Sequence, residues 1–364
     1  MNNKKKNILF VTRTVYDNPF SSTLELKFRK LSNIYNCYFF AMTKQRFYKR
    51  YNFFCDFYLL KDISWIFFII SGLLFIPYII KKKKIDTVIF QSPYELPILL
   101  LCKFLFYKET RLVVEMHGVM EKGLKFYGKN IFKVFLGRIF TRYALKFSDK
   151  IRLVSPYQLE QNHTLKKYLK KIVVFPAFMD LDSFSGISNK EKEFDVLFVG
   201  VLEAIKNLEF LIDVINDIKK QREVSVLIIG EGSQRRYLQD YVKRKNLSES
   251  VSFKGSLNKE ELRGFYKKTK LLVLPSKYEG FGRVVCEAVV SGAEVLFSEN
   301  CGVKSYFPDE CCFYDKDDLK NKIENILKKE RKNKVIYNIK QFYKDNHFFK
   351  GMKSLVYDEY EQIR

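Results

Sequence analysis

Short apolar runs recur along this chain with helical stretches between them, and halfway along the series starts again. In the first half the runs cover residues 7–12, 37–42, 86–90, 111–116, 150–155 and 172–175. In the second half they cover 195–200, 224–230, 251–254, 271–275 and 294–298. Their sides do not alternate strictly between polar and apolar, which is how strands buried on both faces of a parallel sheet read. Helical periodicity fills the gaps, as at 208–219 and 260–268. Strand–helix alternation at this spacing predicts an α/β fold of two Rossmann-like domains facing a central cleft. The 364 residues suffice for two cores. A polar stretch with Pro, Gly and Ser at 176–192 sets the boundary, so the domains are expected at 1–177 and 178–340. Residues 341–364 read as a C-terminal helix, expected to pack back on the N-terminal domain.

The formal net charge of +24 is unevenly spread. Residues 1–180 hold 32 Lys and Arg against 12 Asp and Glu, and residues 181–364 hold 33 against 29. A basic first half calls for an anionic partner: nucleic acid, anionic lipid head groups or a phosphorylated substrate. No nucleic-acid motif is recognisable, and no nucleic-acid partner is expected. The seven cysteines include no C-x-x-C pair and read as buried, reduced thiols, which fits a reducing cytosol. The three histidines, His117, His163 and His347, are far apart in sequence, and no metal site is expected.

Three segments bear on a membrane. The run 63–80 has 18 residues without a formal charge and is followed by Lys81–Lys84. Gly72 and Pro77 interrupt it, which argues against a full span and leaves a buried domain helix or a helix dipping into one leaflet. In 130–147, Ile131, Phe135, Ile139, Tyr143 and Phe147 recur every four residues beside a row of Arg138, Arg142 and Lys146. That pattern fits a helix lying on an anionic membrane, or a domain helix with one buried and one solvated face. The cluster 44–51, with Phe53 and Phe54 after it, mixes cations and aromatics and could dock on head groups, stack on bases or be a solvated segment.

The most specific stretch is Leu274-Pro275-Ser276-Lys277-Tyr278-Glu279-Gly280-Phe281-Gly282-Arg283-Val284-Val285-Cys286-Glu287-Ala288. It follows a strand and opens a helix expected to begin near Phe281. Gly280 and Gly282 permit a tight turn and close approach of backbone to a ligand. The helix start offers N–H groups and a positive dipole end, suited to a diphosphate. Glu279 and Glu287 accept hydrogen bonds from hydroxyls, so they suit a sugar.

This segment resembles the Glu-x7-Glu motif of the GT-B retaining glycosyltransferases of family 4, the group 1 glycosyl transferases. Other stretches in the same order strengthen the resemblance over nearly the whole chain. Residues 198–208, with Gly200 and Lys206, resemble the first phosphate loop of the donor domain. Gly230-Glu231-Gly232 resembles its Gly-x-Gly turn, and Phe253-Lys254-Gly255 followed by 260–266 resembles the segment abutting the nucleotide base. Glu115-Met116-His117-Gly118 resembles the His-Gly that ends an N-domain strand.

The resemblance implies a retaining, metal-independent sugar transfer from a UDP- or GDP-sugar to a lipid-linked or polysaccharide acceptor, without a further cofactor. Glu279 would bond the donor sugar's hydroxyls and Glu287 the ribose hydroxyls. The N–H groups of Gly280, Phe281, Gly282 and Arg283 would hold sugar and phosphate. Lys206 would neutralise the leaving diphosphate, and His117 would face the donor sugar. Val201 stands where the family commonly has Arg, and Arg283 is the candidate substitute. The loop after Val11 lacks the family's paired glycines. The enzyme is expected in the cytoplasm, peripheral on the inner face of the membrane through its basic N-terminal domain. A catalytically silent GT-B scaffold, a sugar-nucleotide epimerase and a nucleic-acid-binding protein are the competing readings.

Overall fold

A computed structural model describes residues 5–16, 22–44, 50–52, 55–91, 95–105, 109–118, 131–185, 192–328 and 346–357. The chain forms two compact units. The first comprises residues 1–154, 158–178 and 345–364, and the second comprises Ser155–Tyr157 and Met179–Lys344.

The first unit is built on a sheet of eight strands in the order β3-β4-β2-β1-β5-β6-β7-β8. These are β1 (Asn7–Val15), β2 (Asn36–Thr43), β3 (Arg50–Asn52), β4 (Asp56–Lys61), β5 (Thr87–Phe90), β6 (Arg111–Met116), β7 (Lys150–Leu153) and β8 (Ile172–Val174). Only the β3–β4 pairing is antiparallel. Central β1 shows why its run is apolar throughout. Leu9 and Val11 enter one core and Ile8 and Phe10 the other, the period of two expected of a strand covered on both faces. Helices α1 (Ser22–Ile34), α2 (Trp65–Lys83), α3 (Leu96–Leu105) and α4 (Ile131–Phe147) cover the sheet. Buried residues of α2, α3 and α4 share the core with Leu9 and Val11, whereas α1 serves the core with Ile8 and Phe10. The C-terminal helix Asn346–Tyr357 joins that second core through Phe348, Met352 and Leu355. Gly351 lets it lie flat on the Phe175 ring, and Arg111 donates to its last carbonyls, those of Leu355 and Val356.

The second unit carries six parallel strands in the order β11-β10-β9-β12-β13-β14. They are β9 (Phe194–Val199), β10 (Val226–Ile229), β11 (Val251–Lys254), β12 (Thr269–Leu274), β13 (Glu294–Ser298) and β14 (Cys312–Phe313). The intervening helices are α5 (Leu208–Lys219), α6 (Arg235–Arg244), α7 (Lys259–Lys267), α8 (Arg283–Val290) and α9 (Lys316–Lys328). In α5 the buried side chains Leu208, Leu211, Ile212, Ile215 and Ile218 form one stripe at helical spacing. Helix α7 starts on a capping box between Asn258 and Glu261.

The segment 63–80 lies within α2 and its N-terminal approach, and among the described residues no helix is long and apolar enough to cross a membrane. In α4 the face turned to the core is Gly137, Thr141, Ala144 and Leu145, while Phe135 and Tyr143 are exposed. The four-residue aromatic stripe is therefore not the packing face. All seven cysteines are free and buried. Most of the cluster 44–51, and Phe53 and Phe54, lie outside the described residues.

Candidate functional site

In the second unit the chain leaves β9 for β10 and β11 on one side, and later builds β13 and β14 on the other side of β12. The direction of winding thus reverses between β9 and β12. The crevice beyond the carboxyl ends of such neighbours is where ligands of open α/β sheets bind. Lys206 follows β9, and Glu279 follows β12.

Backbone hydrogen bonds lace these loops together. The N–H of Lys277 donates to the Ile205 carbonyl at 2.9 Å, and that of Glu279 to Asn300 at 3.0 Å. The N–H of Gly302 returns to the Glu279 carbonyl at 2.9 Å. Glu279 is thereby held in a fixed pose, and its carboxylate forms an ion pair with Lys206. Both side chains are mostly buried, at 22% and 14% exposed. The pair joins residues 73 positions apart.

Helix α8 begins at Arg283, two residues later than the sequence suggests, because Gly282 takes a positive φ of 96° as its N-cap. A Cβ there would lie 2.8 Å from Cys301 Sγ. The N–H of Val285 donates to the Gly282 carbonyl at 3.0 Å, which leaves the N–H groups before it at the helix start for a ligand. The Phe281 side chain is buried beside Tyr306, so only its backbone is available to a ligand. Ser155 Oγ donates to the Gly280 carbonyl at 2.8 Å. Fixing that carbonyl fixes the Phe281 N–H, which points the opposite way across the trans peptide. Gly302 is required beside it, since a Cβ would come 2.0 Å from the same carbonyl.

Glu287 is half-buried and accepts from the Tyr266 hydroxyl at 3.1 Å. Burial raises its carboxyl above the usual range, and Arg283 and Tyr266 offset this only in part. Arg283 itself is exposed, as is Val201.

Gly230 and Gly232 permit close approach of the turn after β10 to the loop after β9, which holds Gly200. Gly230 has φ 144°, and a Cβ there would sit 1.9 Å from the Gly200 carbonyl oxygen. A Cβ on Gly232 would sit 2.4 Å from the Leu202 oxygen. The Leu202 N–H donates to Glu231 and the Gln234 N–H to Leu202, so the turn after β10 braces the loop that carries Lys206.

His117, at the end of β6 in the first unit, is about half exposed, and its Nε2 lies 3.4 Å from Glu115. Glu115 is buried against Arg152, and Gln91 donates to its second oxygen at 2.9 Å. Burial alone would raise the Glu115 carboxyl, but Arg152 and then His117 hold it well below the usual range. Buried Glu95 accepts from the N–H groups of Arg13 and Gln91. Sequence reasoning missed Ser155, Glu95 and Arg152, and held Glu115 and Tyr266 only as members of longer motifs without a role of their own. Charged residues inside apolar strand runs, as in Val-Val-Glu115 and Ile-Arg152-Leu, were the available signal. Among the described residues no group of His, Cys, Asp and Glu is arranged to hold a metal.

Residues 181–342 match the family described as Glycosyl transferases group 1. An uncharacterised glycosyltransferase of Methanocaldococcus jannaschii is 31% identical over 209 residues, 55% of this chain and 56% of its own length. Another from that organism is 34% identical over 125 residues, 34% of this chain and 32% of its own. The O-antigen biosynthesis glycosyltransferase WclY of Escherichia coli is 23% identical over 223 residues, 60% and 62% of the two chains. The chain thus spans about a third to three fifths of the length of these curated relatives. Among solved structures, sucrose-phosphate synthase from Thermosynechococcus elongatus matches with a TM-score of 0.73 at 16% identity, covering 89% of this chain and 90% of that one. HepE of Anabaena in complex with UDP matches at 0.64 and 14%, covering 88% and 90%. At these identities the likeness shows the fold: two Rossmann-like α/β halves of the GT-B kind.

Proposed function

We propose that the chain is a glycosyltransferase that moves a sugar from a UDP- or GDP-sugar to a hydroxyl of a lipid-linked or polysaccharide acceptor. The observation that carries this reading is the Lys206–Glu279 pair at the winding reversal, set beside the open N-terminus of α8 with Glu287 further along that helix. The match of 181–342 to the group 1 family covers all three residues. The E. coli relative named for O-antigen biosynthesis supports an acceptor of the surface-polysaccharide kind.

In this reading the anion of the donor rests on the helix start and on Lys206, with Arg283 standing in for the arginine that Val201 replaces. Glu279 exchanges part of its contact with Lys206 for hydroxyls of the sugar, and Glu287 receives the ribose hydroxyls. The anomeric carbon–phosphate bond breaks, the acceptor oxygen bonds to that carbon, and the acceptor proton leaves with the diphosphate or to solvent. Retention is assigned, with no protein nucleophile. The leaving charge is carried by cationic side chains and backbone N–H groups, so the reaction is proposed to be independent of a metal. His117 is assigned contact with the donor sugar. The seven buried free thiols support a reducing, cytoplasmic setting.

The test is a screen of UDP- and GDP-sugars for nucleotide-dependent rises in melting temperature and for release of nucleoside diphosphate, with and without EDTA. Turnover is expected for one donor class, unchanged by EDTA, and lost in Glu279→Ala and Lys206→Ala. His117→Ala is expected to lower turnover while leaving UDP affinity intact. Nucleotide binding without turnover on any lipid-phosphate or glycan acceptor would instead favour the silent scaffold. A new sugar nucleotide as product would favour the epimerase.

A further inference from the structure

Among the described residues seventeen large apolar side chains are exposed, and fourteen of them are on or beside α2, α3, α4 and the 3-10 segment His163–Lys171. Helix α2 is apolar all round. Phe68, Ile76 and Ile79 face the core, while Ile66, Ile70, Leu73, Leu74 and Tyr78 face out. Leu74 is 69% exposed and Ile66 62%. A helix of this kind is normally enclosed by protein or by lipid. Helix α4 turns Gly137, Thr141 and Ala144 inward, and on its outer side the large aromatics Phe135 and Tyr143 stand among Arg138, Arg142 and Lys146.

The three helices adjoin one another. Gly72 of α2 lies against Ile98 of α3, and Phe104 of α3 meets Phe147 of α4 edge-on at 6.1 Å. Phe147 in turn stacks on Tyr143 at 5.9 Å. None of the three helices contains an Asp or Glu. Their cations cluster at the C-terminal end of α2, Lys81–Lys84, and along the outer side of α4, Arg138, Arg142 and Lys146. Lys83 is paired with Asp56 and Lys103 of α3 with Asp149, while Lys81, Lys84, Arg138, Arg142 and Lys146 are exposed at the margins of the apolar side chains, an arrangement that matches the acyl boundary and anionic head groups of a bilayer. A second copy seated face to face would set these cations against each other.

We infer that this face of the first unit docks on an anionic phospholipid surface, with α2, α3 and α4 lying in the interface rather than crossing it. The inference goes beyond the sugar-transfer reading and does not depend on it. Docking rests on a helical face of the first unit, whereas the donor loops belong to the second.

The test is co-sedimentation of the full chain with vesicles of phosphatidylglycerol and phosphatidylcholine, against vesicles of phosphatidylcholine alone. Binding to the anionic vesicles is expected to be at least tenfold tighter. The double substitutions Leu74→Glu with Phe104→Glu, and Arg138→Glu with Arg142→Glu, are each expected to weaken it tenfold or more, with melting temperature and UDP binding unchanged. Should a variant fold poorly, the unaltered protein provides a second readout. Anionic vesicles, but not phosphatidylcholine alone, should slow its cleavage by trypsin at Lys81–Lys84, at the C-terminal end of α2. Failure of the unaltered protein to sediment with either vesicle, or binding undiminished by both variants, overturns the inference. So does a dimer that Leu74→Glu with Phe104→Glu turns into a monomer while the unaltered protein ignores vesicles.

Discussion

Glu287 is the residue whose chemistry depends most on an occupant. Burial raises its carboxyl, so what it contributes to stability is fully present below the ordinary carboxylate range and is lost as pH rises through its raised native value. Hydroxyls donating to it favour the anion and lower that value. UDP binding is therefore expected to release protons at mildly acid pH, measured by titration calorimetry in two buffers of different ionisation enthalpy. Glu287→Gln should release none and bind UDP about tenfold to a hundredfold more weakly, the scale of hydrogen bonds to a charged group. Proton uptake by the unaltered protein would remove the ribose assignment. Glu115 has the opposite sign. Its carboxyl is held well below the usual range once Arg152 and His117 outweigh burial, so its contribution is present above the unfolded value and is lost as pH falls through the native one. Glu115→Gln leaves Arg152 charged, buried and without its carboxylate, and should cost about 3–5 kcal/mol by urea denaturation at pH 7. Glu115→Leu with Arg152→Met should recover most of that loss, because both charges leave together.

At the scale of elements, glycines separate turns that must be glycine from those that need not be. Gly230→Ala meets both a positive φ and the Gly200 carbonyl, so it should destabilise by about 2–4 kcal/mol and weaken donor binding through the Lys206 loop. Gly264, within α7, has no atom within 4 Å of the place a Cβ would take, and Gly264→Ala should stabilise by about 0.5–1 kcal/mol. Comparison of the two urea midpoints checks both. The central strands were legible because each is buried on both faces and so reads as an apolar run. Strand β4, Asp56–Lys61, was not, since its Phe-Tyr-Leu-Leu is only four residues long and sits in an aromatic-rich stretch between the cation cluster 44–51 and the apolar run 63–80. Two-residue β14 is too short for any periodicity. The run 274–288 could be read as a ligand loop because its glycines follow a buried strand. The partners of Glu279 and Gly280 could not be read, because Lys206, Ser155 and Gly302 reach them through tertiary packing from distant parts of the chain. The stripe on α4 left two readings open for a physical reason: four-residue spacing shows that apolar side chains share a face but not which neighbour that face meets.

For the whole molecule, the charge of +24 sets how binding responds to salt, and the response separates two kinds of anionic partner. Nucleic acid held by lysines and arginines alone is released steeply, because each phosphate contact returns a condensed counterion. A surface that also takes up the apolar side chains of α2, α3 and α4 keeps the part of its affinity that salt does not screen. Between 0.1 M and 1 M salt the Debye length falls from about 10 Å to about 3 Å, and kosmotropic salts strengthen apolar burial. Affinity for anionic vesicles is therefore expected to fall roughly tenfold over that range and then level off, measured by sedimentation at stepped sodium chloride. Binding to duplex DNA should fall continuously until it is undetectable. Leu74→Glu with Phe104→Glu should abolish the plateau, leaving a vesicle curve that follows the DNA curve, since only the charge of the first 180 residues would remain to hold the lipid. A plateau that survives those substitutions would place the apolar contact on some other part of the chain.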